Sequence, residues 1–418
     1  LTNIKEYILS ISAVEKAFVF LDSCNQPAAL DYNVYDWMAA WGEKSVYTGN
    51  SFDELYAFQS IEKKWLFGYF SYDLKNKIED LSSNNIDGVG VHDMCFFEPI
   101  HLVYMKDGLL YYNQQLIEEV HLLAVLKYIY GEIKLPIIQT SKVSIQPRIS
   151  KDEYINAFNS IIKHIVDGDI YEINFCMEYF AENVSIDTLK IWKNLIDLSP
   201  TPYAAYIKLD DIYVMCASPE RFITKQSQKM IAQPIKGTSK RAEDHNIDEQ
   251  LKYNLKHNQK ERSENVMIVD LMRNDLAKSS VVSSVAVEEL FGIYTFKTVH
   301  QMISTVTSQS LPGIKFTDII KNAFPMGSMT GCPKIRAMQL IEDFEQSQRG
   351  LFSGAIGYIT PEADFDFNVV IRSLIYNSTK QYLSYQAGSA ITYKSQVNDE
   401  YEECILKAET MKKALVEN

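Results

Sequence analysis

Lys236 stands in the middle of Pro-Ile-Lys-Gly-Thr (234–238), where an amine is flanked by isoleucine and glycine rather than by polar residues. Such surroundings suggest a lysine withdrawn from water. Desolvation that depresses its pKa would leave the amine neutral often enough to attack an electrophilic carbon. The same five residues also suit a structural lysine paired with a carboxylate at a turn. Two Glu-x-x-Glu pairs, Glu261 with Glu264 and Glu400 with Glu403, each place two carboxylates on one face of an expected helix. Side chains so arranged from two helices suit a hard cation that keeps several waters, which is the habit of magnesium. In a chain with 54 acidic residues they equally describe two solvated faces.

Three further features bear on chemistry. AFPMGSMTGCPKIRAM (323–338) is a glycine-rich turn leading toward a helix N-terminus, where backbone N–H groups and small hydroxyls can hold a carboxylate or phosphate. It lacks the Lys-Ser/Thr ending and spacing of a nucleotide P-loop. His300, in TVHQMISTVT, fits either a hydrogen-bonded internal histidine or a catalyst. Arg372 lies inside the apolar run NVVIRSLIY, and a guanidinium in a buried strand demands an anionic ligand or an internal carboxylate.

The elements that must position these groups read as a mixture. AFVFLDS (17–23), KWLFGYFSYDL (64–74), DMCFFEPIHLVYMKDG (93–108), LLYYN (109–113), EINFCMEYF, YAAYIKL, DIYVMCASP, SGAIGYIT, NVVIRSLIY and YLSYQAGSAIT have the composition of strands. KDEYINAFNSIIKHIVDGDI (151–170) has helical spacing behind an N-cap-like Ser150 and ends at Gly168. DEYEECILKAETMKKALVE (399–417) is the clearest helix, with Tyr401, Ile405, Ala408, Met411 and Leu415 expected on its apolar face. Strands and helices do not alternate regularly, which predicts an α+β assembly rather than a doubly wound sheet. Residues 131–150, with two prolines, read as a linker or crossover.

Composition narrows the class. With 418 residues and 46% hydrophobic content the chain can bury a large core, and its apolar runs, such as VMIVDLM (266–272), are too short to span a bilayer. No signal-peptide pattern opens it, so a cytoplasmic protein is expected. Six cysteines without a Cys-x-x-Cys pair argue against a zinc ribbon or a disulfide framework. A net charge of −13 disfavours nucleic acid and anionic membranes as partners, so any anion site must be built locally.

Taken in order, GDIYEINF (168–175), SPERF (218–222), PIKGT, ERSENVMIVDLMRNDL (261–276), VHQMISTVT (299–307), FPMGSMTGCPKIRAM (324–338), FSGAIGYI (352–359), VVIRSL (369–374) and YQAGSAIT (385–392) resemble the chorismate-utilising enzyme family. The resemblance implies a large α+β fold, a two-sheet β-sandwich core with helices packed outside. It covers residues 146–418 as a chorismate-binding catalytic region, with residues 1–145 as an N-terminal companion region matched more weakly, chiefly through GYFSYDL (68–74). Members that form anthranilate carry alanine at the third position of the PIKGT turn, whereas members that aminate C4 of chorismate carry lysine. Lys236 therefore implies attack of its amine on C2 with loss of the C4 hydroxyl. Ammonia then adds at C4 and expels the lysine, giving 4-amino-4-deoxychorismate, a precursor of 4-aminobenzoate and folate.

The same resemblance assigns roles. Glu264 and Glu403 match direct magnesium ligands, while Glu261 and Glu400 match the pair that acts through metal-bound waters. Tyr358, Arg372 and the Gly388 backbone match positions that hold the enolpyruvyl carboxylate, with Ser389 and Thr238 beside the substrate. His300 and Ser328 match groups near the C4 hydroxyl, so the implied catalytic set is Lys236, His300, Ser328 and Glu261. Departures from the family pattern fall at Glu172, where amino-transferring members usually have glutamine and water-adding members a lysine, and at AGSAI (387–391) and Cys332. Glu172 is expected beside the substrate, and a glutamate there speaks against isochorismate or salicylate synthesis. No glutamine amidotransferase pattern is present, which implies ammonia from a separate glutamine amidotransferase subunit. Formation of anthranilate, and a catalytically silent regulatory or sensor protein of the same fold, are the alternatives. FLDS (20–23) lies where some relatives have an amino-acid-binding motif.

Overall fold

The structure, a computed structural model, describes residues 2–135, 138 and 140–416, so part of the expected linker lies outside the described residues. Period-two alternation along the strand Ala17–Asp22 sends Val19 into one apolar core and Phe18 with Phe20 into another. The same division recurs across the sheet. Met38 and Ala40 join the first core, Trp37, Ala39 and Trp41 the second.

The strands pair antiparallel in one continuous sheet. One half runs, neighbour to neighbour, through Glu172–Ala181, Tyr382–Thr392, Ser373–Asn377, Ile212–Ser218, Tyr203–Leu209, Ala17–Asp22 and Trp37–Gly49. The other continues through Met94–Lys106, Leu66–Phe70, Ala355–Ile359, Phe365–Asn368, Arg221–Gln226, Lys229–Gln233, Val299–Gln309 and Ala286–Thr295. The halves meet along Trp37–Gly49 and Met94–Lys106, whose register shifts between Glu43 and Ser45 beside the positive-φ Gly42. The first core draws Ala205, Ile207 and Val214 from one half and Phe67, Phe367 and Ala232 from the other. The expected two-sheet sandwich is thus a single sheet folded over on itself. Strands from before residue 146 are woven into it: Ala17–Asp22 pairs with Tyr203–Leu209, and Leu66–Phe70 with Ala355–Ile359.

Helices cover the second core. Lys151–Val166 starts at a capping box in which Ser150 and Glu153 satisfy each other's backbone N–H groups, an arrangement worth about 1 kcal/mol. It buries Tyr154, Phe158, Ile161 and Ile165. In the helix Val397–Val416 the buried stripe is Cys404, Ala408, Met411 and Leu415. Ile405, expected on that face, is 38% exposed, because the stripe enters at Cys404, one residue earlier. Among the described residues no helix is long and apolar enough to cross a membrane.

Candidate active site

Lys236 is the second residue of a short strand, Ile235–Lys240, whose register against Val299–Gln309 shifts between Ile235 and Thr238. The shift is held by Gly237. Its φ is +94°, and a Cβ there would lie 3.0 Å from Glu261 Oε2, so both conformation and space demand glycine. Lys236 Nζ donates to Glu172 Oε1 at 2.5 Å, with the two side chains only 11% and 8% exposed. Burial pushes the Lys236 amine down, but the carboxylates of Glu172, Glu264 and Glu220 outweigh it and raise the pKa above its ordinary value. The expectation of a depressed lysine is therefore corrected: unliganded, Lys236 is an ammonium among carboxylates.

Glu220 of SPERF belongs to the same cluster. It lies between the strands Ile212–Ser218 and Arg221–Gln226 and is 5% exposed. Burial pushes its carboxyl up to about 7, against hydrogen bonding from Ser328 and the Ile235 backbone N–H and the charge of Lys236. Ser328 sits in the buried turn Gly327–Met329. That turn is braced from below: Asn174 Nδ2 donates to Ser328 O at 3.3 Å, and Arg349 donates to Met329 O at 2.6 Å and Asn174 O at 2.8 Å. Arg349 is paired through both terminal and inner nitrogens with Glu345, which also accepts from Cys176 N–H at 2.9 Å. One buried ion pair therefore fixes both the Ser328 turn and the strand that begins at Glu172. Arg349→Met is expected to cost about 3–5 kcal/mol in denaturant unfolding, since it strands Glu345, and a double Arg349→Met, Glu345→Met variant should recover much of that loss.

The two Glu pairs do face this cluster. Glu261 and Glu264 lie on the helix Gln259–Ala277, and Glu400 and Glu403 on Val397–Val416. Glu264 is buried with its carboxyl pushed up to about 7, chiefly by burial, and its Oε1 has no hydrogen-bond partner. Glu400 is 2% exposed. The Lys260 ammonium lies between the helices, 3.9 Å from Glu264 Oε1 and 3.6 Å from Glu400 Oε1. Glu403 pairs with Lys407 at 2.7 Å, and Lys407 also donates to Gly388 O at 2.9 Å. Among the described residues no three acidic, histidine or cysteine side chains converge on one point. The donor set, oxygen only with one buried oxygen unsatisfied, nonetheless fits a hard cation.

Arg372 is placed differently from the expectation. It precedes the strand Ser373–Asn377 with φ +50°, half-buried, and no described residue hydrogen-bonds or ion-pairs with its guanidinium. Burial pushes its pKa down. An unpartnered guanidinium at this depth calls for an anion. Its neighbourhood is that of Glu220: Ala217 N–H donates to Arg372 O, and Val369 N–H to Glu220 O.

Other expected site residues go elsewhere. Tyr358 packs on Tyr35, Trp65 and Phe67 and lines a separate cavity with Asp22 and Ser23, because its register opposite Phe67 turns it toward the N-terminal aromatic residues. That cavity includes the Leu-Asp-Ser end of FLDS. His300 has both ring nitrogens engaged, by Thr295 Oγ1 at 2.9 Å and Asp248 Oδ1 at 3.0 Å, and so is a fully hydrogen-bonded internal histidine. Its neighbour Gln301 faces the other way, opposite the exposed Thr238, with a buried carbonyl oxygen that lacks a partner. Ser389 is turned to the helix side beside Tyr154 and Cys404, since odd positions of Tyr382–Thr392 face the second core. Gly388 is required where it is: a Cβ would approach Cys176 Sγ to 2.4 Å. Glu220, Lys260 and Lys407 were missed by sequence reasoning, although the acidic residue inside SPERF was a visible signal.

A folded-over antiparallel sheet thus carries a buried Lys–Glu pair, with the Glu-x-x-Glu helices beside it. Residues 17–413 match the chorismate binding enzyme model, and the chain belongs to that family. It is 31% identical over 371 residues to aminodeoxychorismate synthase component 1 of Bacillus subtilis (strain 168), covering 83% of this chain and 76% of that protein. It is 38% identical over 271 residues to the probable chloroplastic aminodeoxychorismate synthase of Oryza sativa subsp. japonica, covering 64% of this chain and 30% of that protein. The chain thus spans less than a third of the plant relative's length. Its fold is similar to that of anthranilate synthase component I from Streptococcus pneumoniae TIGR4, with a TM-score of 0.77 at 24% identity over 93% of this chain and 94% of that one.

Proposed function

We propose that the chain acts as component I of an aminodeoxychorismate synthase, converting chorismate and ammonia to 4-amino-4-deoxychorismate through a covalent adduct on Lys236. The observation that carries this reading is the buried amine of Lys236, which shares its pocket with Glu220, a second carboxyl group raised to about 7. One group is a nucleophile in waiting and the other a proton donor near neutral pH. The similarity to the two aminodeoxychorismate synthases named above supports the choice over anthranilate formation, which needs no lysine nucleophile.

In this reading Arg372 receives a substrate carboxylate, a role its unpaired guanidinium suits, and the Gly388 backbone lies nearby in the same cleft. Ser328 holds the Glu220 carboxyl toward the departing C4 hydroxyl. Magnesium would be held by Glu264 and Glu403, with Glu261 and Glu400 acting through its waters, and would neutralise the C1 carboxylate of the substrate and orient the ring. Lys260, now between Glu264 and Glu400, must then give up one of these contacts. Ammonia comes from a separate glutamine amidotransferase subunit.

The test is direct. Incubation with chorismate, ammonium and magnesium, with products resolved by mass, is expected to give 4-amino-4-deoxychorismate, and chelation with EDTA should abolish it. Anthranilate with pyruvate, formed without any added lyase, would overturn the proposal; absence of any turnover would favour the silent sensor.

A further inference from the structure

We infer that Glu172 is the general base that takes the proton from Lys236 as its amine attacks the substrate. The inference rests on the reading of Lys236 as nucleophile and adds the step that makes the nucleophile available. The geometry is specific. Lys236 Nζ lies 2.5 Å from Glu172 Oε1, and among the described residues neither side chain hydrogen-bonds with any other. Glu172 is fixed at the start of its strand by pairing with Cys332 and Thr392, and the Arg349–Glu345 ion pair holds that strand two residues further on. A carboxylate so placed can move a proton over one hydrogen bond without any other group moving.

The other carboxylates near Lys236 have different tasks. Glu220, Glu264, Glu261 and Glu403 all act on it electrostatically, but none of them is hydrogen-bonded to it. On the Glu172 side, Cys332 and Glu264 are the titratable groups that face it. Exclusion of water by a bound substrate removes hydration from both charged partners, which favours the neutral amine and carboxylic acid over the ion pair.

The steps balance. Lys236 gives one proton to Glu172; the neutral amine forms a bond to C2, the two conjugated ring double bonds both shift by one position toward C4, and the C4–O bond breaks as the hydroxyl takes the Glu220 proton and leaves as water. The adduct nitrogen carries the positive charge. Ammonia then bonds to C4, both double bonds shift back and the C2–N bond breaks, releasing a neutral lysine. The new C4 ammonium returns a proton to Glu220, and Glu172 returns its proton to Lys236.

The experiment reads adduct formation, not turnover. Protein is mixed with chorismate and magnesium without ammonia, quenched, and the mass increment on Lys236 is followed by peptide mass spectrometry at several pH values. Glu172→Gln is expected to slow the adduct about 100-fold at neutral pH with chorismate affinity little changed, and the deficit should shrink as hydroxide takes over at higher pH. Glu172→Asp, which keeps a base, should recover at least part of the rate. Adduct formation at the wild-type rate in Glu172→Gln, or a deficit independent of pH, would overturn the inference. A wild-type protein that makes product but never labels Lys236 would instead overturn the covalent reading on which it rests. Near-ultraviolet circular dichroism of each variant separates misfolding from lost chemistry.

Discussion

Lys236→Ala is expected to lower product formation at saturating ammonia by about 1,000-fold or more, a loss of about 4 kcal/mol of transition-state stabilisation. Two effects coincide in that variant. The nucleophile disappears, and the carboxylates of Glu172, Glu220 and Glu264 lose the one ammonium they share. Removing one member of a buried ion pair costs on the order of 3 kcal/mol in stability, so alanine alone does not isolate the chemistry. Lys236→Arg does. A guanidinium keeps the charge among the carboxylates and is not a nucleophile at neutral pH, so stability should stay near wild type while the adduct at position 236 is absent. The sign of the pH dependence is also fixed. Because the folded pKa of Lys236 is raised above 10.5, its contribution is fully present below that value and fades only as pH climbs beyond it. The alanine deficit should therefore not change between neutral and mildly alkaline pH on account of the lysine. Full retention of rate in either variant at saturating ammonia would remove Lys236 from the mechanism.

Glu220→Gln should be the second most damaging change, lowering turnover by roughly 100- to 10,000-fold, the range for loss of a positioned proton donor. Glutamine fills the same space beside Ser328 and Lys236 but has no proton to give the leaving hydroxyl. Wild-type turnover should decline as pH rises through about 7, where the carboxyl loses its proton, and the residual rate of the variant should lack that limb. Stability should fall over the same rise in pH. The folded-state pKa of Glu220 lies above its ordinary 4.5, so between 4.5 and about 7 the native protein holds a proton that the unfolded chain has released. Stability then falls as pH rises across that window, by at most roughly 3 kcal/mol, and glutamine is spared this loss. A variant that is both less active and more stable at pH 8 is the expected signature. Equal activity across the pH range would leave Glu220 a structural acid.

Much of this protein was legible from local pattern. Ser150 with Glu153 announced a helix start that forms as a capping box, and the strand-rich runs fall where strands occur. Lys236 and the two glutamate pairs stood out as candidates in a few consecutive residues, but their local pattern fitted structural roles equally, and the family resemblance over the whole series singled them out. The helix that carries Glu400 and Glu403 was also found, although its buried stripe begins at Cys404 and leaves Ile405 exposed.

What consecutive residues do not contain is the side of the sheet to which a given side chain turns. Ser389 and His300 each lie beside a candidate cleft residue in sequence, yet each points away from it, because strand neighbours face opposite ways and long-range register fixes which is which; register likewise turns Tyr358 toward Tyr35 and Trp65. The bulge at Gly237, held open against Glu261, sets the local direction at Lys236 in the same manner. Charge behaves likewise. The turn sequence promised a desolvated amine and supplied one, but Glu172, 64 residues away, comes to 2.5 Å and reverses the sign of the pKa shift. Amino-acid types and short spacings marked the candidate groups and the helices and strands that bear them. Their partners and proton affinities came from the folded sheet, because Coulomb interactions and hydrogen bonds depend on distances through space that join residues far apart in the chain.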